Sequence, residues 1–194
     1  MTDRFDICVA FVLERETEYN KDGSVKVERD PHDPGGTTKF GIDQRDHPGV
    51  NIAALTVKQA REIYRTEIWD KARCANLKAP WDLAVMDSCV NPGFRSIKLL
   101  QRVLGVKVDG YIGPVTIAKV NSASIDLLFE FLDLREAYYQ ALPAALKKHY
   151  LRGWLNRVAD VRAAVNRTVG GDGSLMARTD PSSITAKADK GVIA

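Results

Sequence analysis

Proline and glycine cut this chain into short stretches, and most of those stretches repeat their apolar residues at helical spacing. Pro80 and Trp81 open one run, and Asn91-Pro92-Gly93 closes it near Val90. Ser96 to Leu104 follows and stops at Gly105, a glycine placed to cap a helix C-terminus. Pro114 opens a short helix to Val120, since a first helical turn tolerates proline. Pro143 interrupts the pattern between Ile125–Ala141 and Trp154–Arg167. Two earlier helices are expected, over Asp3–Glu16 and from a Thr56/Gln59 capping box through Ile68.

One stretch breaks this rule. Ser24-Val25-Lys26-Val27-Glu28 alternates apolar and polar residues after an Asp22-Gly23 turn, which predicts one arm of a β-hairpin. The expected fold class is therefore mainly α (α+β), with one small β-hairpin. The 194 residues suit one domain with a tail. From Thr168 onward the chain is small, polar and glycine-bearing, so 168–194 is expected to be a flexible tail.

The formal charge of +3 and pI near 8.7 favour approach to an anionic surface but are too weak to argue for nucleic acid. Cys8, Cys74 and Cys89 stand among apolar residues without a C-x-x-C pair, as expected of buried, reduced thiols. No stretch has the length of a membrane span. The first residues mix acids and bases through their apolar run and do not read as a signal peptide. The expectation is accumulation in the cytoplasm of the producing cell. His32, His47 and His149 lack metal-ligand spacing, so no metal or other cofactor is expected.

The first helix carries the sharpest chemical clue. At about 100° per residue, Phe5, Val9, Val12 and Glu16 fall on one stripe, while Glu14 points away. A carboxylate on an apolar stripe loses hydration, and the negative end of the helix further disfavours its charge. Both effects suit a general acid. Ile7 and Phe11 lie on the far side, so the stripe is not clean, and an inward glutamate taken alone is more often a structural group.

Downstream, Asp30-Pro31-His32-Asp33-Pro34-Gly35-Gly36-Thr37-Thr38 supplies a second carboxylate and a hydroxyl in a stiff loop. Cleavage of a glycoside by an acid and a water-activating base needs such a partner. A structural turn is the alternative.

These residues stand in a recognisable order. Glu16-Thr17-Glu18-Tyr19, then D-P-H-D-P-G-G-T-T-K-F-G-I, resembles the opening of the glycoside hydrolase family 108 muramidases. The likeness continues through Ile63-Tyr64-Arg65, Trp69 and Asp87-Ser88-Cys89-Val90-Asn91, then L-Q-R-V-L-G, D-G-Y-I-G-P-V-T and Arg152-Gly153-Trp154.

The resemblance implies a lysozyme-like helical domain that cleaves the β-1,4 bond between N-acetylmuramic acid and N-acetylglucosamine. Glu16 would be the catalytic acid, and Asp33 with Thr38 would hold water, with Asp30 as the alternative carboxylate. Tyr19, Asp30, Asp87 and Asn91 would contact substrate, with structural support the favoured alternative for Asp87 and Asn91. Residues 1–78 would form the catalytic part and 79–167 a helical part with a peptidoglycan-binding-like motif in the same domain. Peptidoglycan would be the partner of a monomer, without nucleic acid or stable membrane insertion. A phage endolysin that waits in the host cytoplasm for release to the periplasmic wall fits this picture, as does a bacterial wall-remodelling enzyme. A non-catalytic wall-binding module and a lytic transglycosylase are the rival readings. Two departures stand out. The family's paired glycines after the glutamate are Thr17-Glu18 here, and Lys21 to Glu28 reads as an insertion.

Overall fold

The computed structural model describes residues 3–29 and 36–170, and the chain divides into two compact units between Glu67 and Ile68. The first unit begins with α1 (Arg4–Glu16), whose N-cap Asp3 accepts a hydrogen bond from the Phe5 amide. Phe5 and Ile7 through Leu13 are all buried. Ile7 and Phe11, off the expected stripe, are therefore core residues too. α1 is a helix enclosed on all sides, and each large apolar side chain it buries contributes about 1.5–3 kcal/mol. Its one polar residue among them, Asp6, is ion-paired to Arg61 at 2.5 Å.

The Asp22-Gly23 turn forms where expected, with Gly23 at φ +84°. Its ladder is short: Tyr19 bridges Val25, and Lys26 N–H donates to the Glu18 carbonyl at 2.8 Å. A three-stranded antiparallel sheet follows: β1 (Glu28–Arg29), β2 (Thr37–Lys39) and β3 (Ile42–Asp43), in that order. The β2–β3 hairpin was not foreseen. Its turn residues are Phe40 and Gly41 at φ +55° and +71°, the two positive values that a type I′ hairpin turn needs. Phenylalanine is an uncommon choice there. Burial of Phe40 and a hydrogen bond of 2.9 Å from the Tyr64 hydroxyl to its carbonyl hold the conformation.

The Thr56/Gln59 capping box opens α2 (Val57–Tyr64), with both reciprocal bonds made. This helix stops earlier than expected, giving way to a π-helical turn over Arg65–Trp69.

The second unit is helical: α3 (Trp81–Val90), α4 (Ser96–Val103), α5 (Pro114–Ser122), α6 (Ile125–Gln140) and α7 (Ala144–Val169). α3 is buried along its whole length and packs on α4, α6 and α7. α7 starts ten residues before the expected Trp154, directly after Pro143. Its first turns are mostly exposed, so the apolar periodicity that marks a buried helix is thin there. Thr168 and Val169 are helical rather than part of a tail, and 171–194 lies outside the described residues.

The L-Q-R-V-L-G…D-G-Y-I-G-P-V-T motif turns out to be an internal staple. The buried Gln101 amide donates to Asp109 at 2.7 Å and to the Tyr111 carbonyl at 3.0 Å, and it accepts from the Gly110 amide at 2.8 Å. Cys8, Cys74 and Cys89 are buried and form no disulfide among the described residues, and burial pushes the pKa of the Cys89 thiol up to about 12.

Candidate active site

Glu16 is the last residue of α1, and the chain leaves it in an extended Thr17 (φ −107°, ψ 114°), so no glycine is needed for this turn. The residue is half-buried, and its carboxyl lies against the β2–β3 turn. A Cβ placed on Gly41 would stand 2.5 Å from Glu16 Oε2 and 3.0 Å from its Cδ. The left-handed backbone and the missing side chain at Gly41 together make this approach possible.

Glu16 opens into a cavity of about 170 Å³ that Thr38, Lys39 and Gly41 also line. Thr38 sits in mid-strand, paired across the sheet with Glu28 on one side and Asp43 on the other. Glu28 lines the cavity too, but its carboxylate is bonded to Lys26 at 2.8 Å, and Lys26 also bonds Glu18 at 2.7 Å. The hairpin segment thus ends in a Glu18–Lys26–Glu28 clasp on the cavity wall. Lys39 donates to the Ala53 carbonyl at 3.3 Å, and partial burial holds its amine below the usual lysine value. Arg15 donates to the Phe11 carbonyl at 2.9 Å while its guanidinium lies 3.5 Å over the Phe11 ring. This places a cation at the carboxyl end of the helix, where it is favoured.

The structure sorts the expected site residues. Glu16 and Thr38 share one cavity. Tyr19 is in the hairpin beside it, 37% exposed and not part of the lining; burial first, then the Glu14 charge, raises its hydroxyl above the ordinary value. Asp30 and Asp33 lie outside the described residues.

Asp87 needs a correction as a substrate contact. Its carboxylate is 0% exposed in the second unit and ion-paired to Arg135 and to Arg157, each at 2.8 Å. Burial pushes its pKa up, but the two guanidinium groups outweigh that and hold it below the ordinary value. No sugar can reach it, and it serves as an anchor for α3, α6 and α7. Asn91 is half-buried, accepts from the Tyr139 hydroxyl at 2.7 Å and lines a separate cavity of the second unit.

Sequence reasoning missed Gly41, Lys39 and the clasp as neighbours of Glu16. Phe40-Gly41 could have signalled a turn, but nothing local says that it folds onto a helix end many residues earlier. Among the described residues, no group of His, Cys, Asp and Glu side chains is placed to hold a metal ion.

Two family models match in tandem: Glycosyl hydrolase 108 over residues 9–93, and a Predicted Peptidoglycan domain over 95–159. A solved structure, "Structure of Brucella abortus SagA", is similar at 30% identity and a TM-score of 0.69, covering 83% of this chain and 92% of that one. No curated protein matches the chain.

Proposed function

Since the chain belongs to the glycosyl hydrolase 108 family and continues into a peptidoglycan-binding region, we propose that it is an N-acetylmuramidase of the lysozyme type. The bond cleaved is the β-1,4 link between N-acetylmuramic acid and N-acetylglucosamine. Glu16 donates a proton to the glycosidic oxygen, which leaves as the 4-hydroxyl of N-acetylglucosamine. Asp33, helped by the Thr38 hydroxyl, takes a proton from a water that attacks C1 of the muramic acid from the opposite face. One water is consumed, and a reducing muramic acid and a free 4-hydroxyl are formed. We assign single displacement with inversion, for which the two carboxyl groups stand about 6.5–9.5 Å apart rather than about 5 Å.

One observation carries the reading. Glu16 ends a helix buried over Ile7–Leu13, and its carboxyl lies against Gly41 in a cavity shared with Thr38. That gives the acid a defined position, which proton transfer in a transition state requires. A peptidoglycan-binding region in the same chain supports a wall substrate.

The deciding experiment is digestion of purified sacculi by the parent and by Glu16→Gln. The expected result is release of reducing muramic acid by the parent and a loss of about a thousandfold or more in the variant. Equal rates would remove Glu16 from the mechanism. 1,6-Anhydro products in the mass spectrum would instead identify a lytic transglycosylase, and binding without any cleavage a wall-binding module. NMR of the first-formed sugar should show the α-anomer of the new reducing end. As the biological setting we place a monomeric phage endolysin, held in the host cytoplasm until a separate membrane-permeabilising protein admits it to the periplasmic wall.

A further inference from the structure

The second unit holds a cavity of about 360 Å³ at the C-terminal end of α3, between residues of α6 and α7, that the chemistry of Glu16 does not use. Its volume falls in the range of small-ligand sites. Two of its lining residues are polar with donors to spare. The Tyr139 hydroxyl accepts from Arg135 Nε and donates to Asn91 Oδ1, which leaves the Asn91 amide N–H groups as donors. Arg95 gives an N–H to the Tyr138 hydroxyl at 2.8 Å. The remaining N–H groups of Arg95 and Asn91 meet no acceptor among the described residues. The same cavity is lined by Leu142, Leu146 and Trp154, with Leu146 44% exposed. Trp154 is stacked on the buried Tyr139 with ring centroids 5.1 Å apart.

N–H donors on Asn91 and on the exposed Arg95, lining the same cavity as apolar side chains, match an acetamido group: a carbonyl oxygen that accepts, next to a methyl that needs apolar contact. We propose that this cavity is an N-acetylhexosamine subsite, holding a glycan strand through its acetamido group on Asn91 and Arg95, with the methyl against Leu142 and Leu146. The sequence motif of this region cannot do this work, because Gln101 and Asp109 are bonded to each other and to their own loop. The proposal deepens the peptidoglycan reading and rests on it for the choice of sugar.

The test uses the full chain carrying Glu16→Gln, titrated with N,N′-diacetylchitobiose and, in parallel, with cellobiose, which has no acetamido group. Two probes report on the site. One is the ¹H–¹⁵N signals of the Asn91 side-chain amide and Arg95 Nε–H. The other is tryptophan fluorescence, where Trp69 and Trp81 are 3% and 1% exposed and Trp154 alone of the three is half-exposed. The expected result is a saturable change in both with chitobiose and none with cellobiose. Arg95→Gln and Leu146→Ser, each checked for an unchanged melting curve, should weaken binding at least about tenfold.

Shifts confined to Lys39 and Gly41, or an equal response to cellobiose, would overturn the subsite. The reading of Glu16 fails separately: if the parent releases no reducing ends from sacculi while Asn91 and Arg95 still respond, the subsite stands and the hydrolase does not.

Discussion

Gly41 and Glu16 are apposed so closely that any side chain at position 41 would strike the carboxyl, its Cβ lying 2.5 Å from Glu16 Oε2 and 3.0 Å from both Cβ and Cδ of that residue. The contact joins a hairpin turn to a helix end. It sets where the Glu16 carboxyl sits, and it can be tested by the smallest possible change.

Gly41→Ala should therefore damage both stability and rate. The left-handed backbone at φ +71° costs a non-glycine residue about 1–2 kcal/mol. Displacing Glu16 by a fraction of an ångström to an ångström should lower kcat by about a hundredfold. Denaturant melts and sacculus digestion check the two effects separately. An alanine variant with parental kcat would show that the apposition does not position the acid.

The choice of second carboxylate separates two variants. Glu28 lines the cavity opposite Thr38 but is bonded to Lys26 and 49% exposed. Glu28→Gln should stay within about fivefold of parental activity, because exposed ion pairs contribute little. Asp33→Asn should lose at least about a hundredfold. The reverse pattern would transfer the water-activating role to Glu28.

Asp87 offers a stability test with a defined sign. Its folded-state pKa lies below the ordinary 3.8, so the ion pairs stabilise fully above that value and fade as pH falls through the folded-state pKa. Urea midpoints of the parent should be level from neutral pH down to about pH 5 and then decline. Asp87→Asn should be destabilised by about 3–5 kcal/mol at neutral pH, since it strands Arg135 and Arg157, and should show a flatter acid limb. An acid limb as steep as the parent's would mean that other carboxylates dominate acid unfolding.

Thr17 follows the last residue of α1, and its buried hydroxyl has no hydrogen-bond partner among the described residues. Thr17→Val keeps the shape and the extended backbone while removing an unsatisfied polar atom. The expected gain is about 1 kcal/mol in unfolding free energy, with activity retained. A loss of similar size would indicate that the hydroxyl is bonded in solution.

How far the sequence could be read depended on the range of the signal. Thr56 and Gln59 sit three apart and satisfy each other, so the start of α2 was legible, as were the ends of α3 and α4 at Asn91 and Gly105. The Phe40-Gly41 hairpin was not, because a phenylalanine in left-handed backbone runs against its own preference and is held by Tyr64, far along the chain. Asp87 and Asn91 looked alike on one helix, four residues apart. Only the arrival of Arg135 and Arg157 makes the first a sealed anchor, while the second accepts from the Tyr139 hydroxyl and lines a cavity.

Local chemistry, read from sequence alone, determined the mainly helical class, the punctuation of the helices and the place of Glu16 at the end of a helix. Those features depend on neighbours within a few residues, whose spacing is written directly in the chain. Tertiary structure decided which groups surround Glu16, which polar residues are closed to solvent, and where the second unit leaves a donor-lined cavity. Each of these is a meeting of residues distant along the chain, and it is packing, not propensity, that brings them within hydrogen-bonding reach.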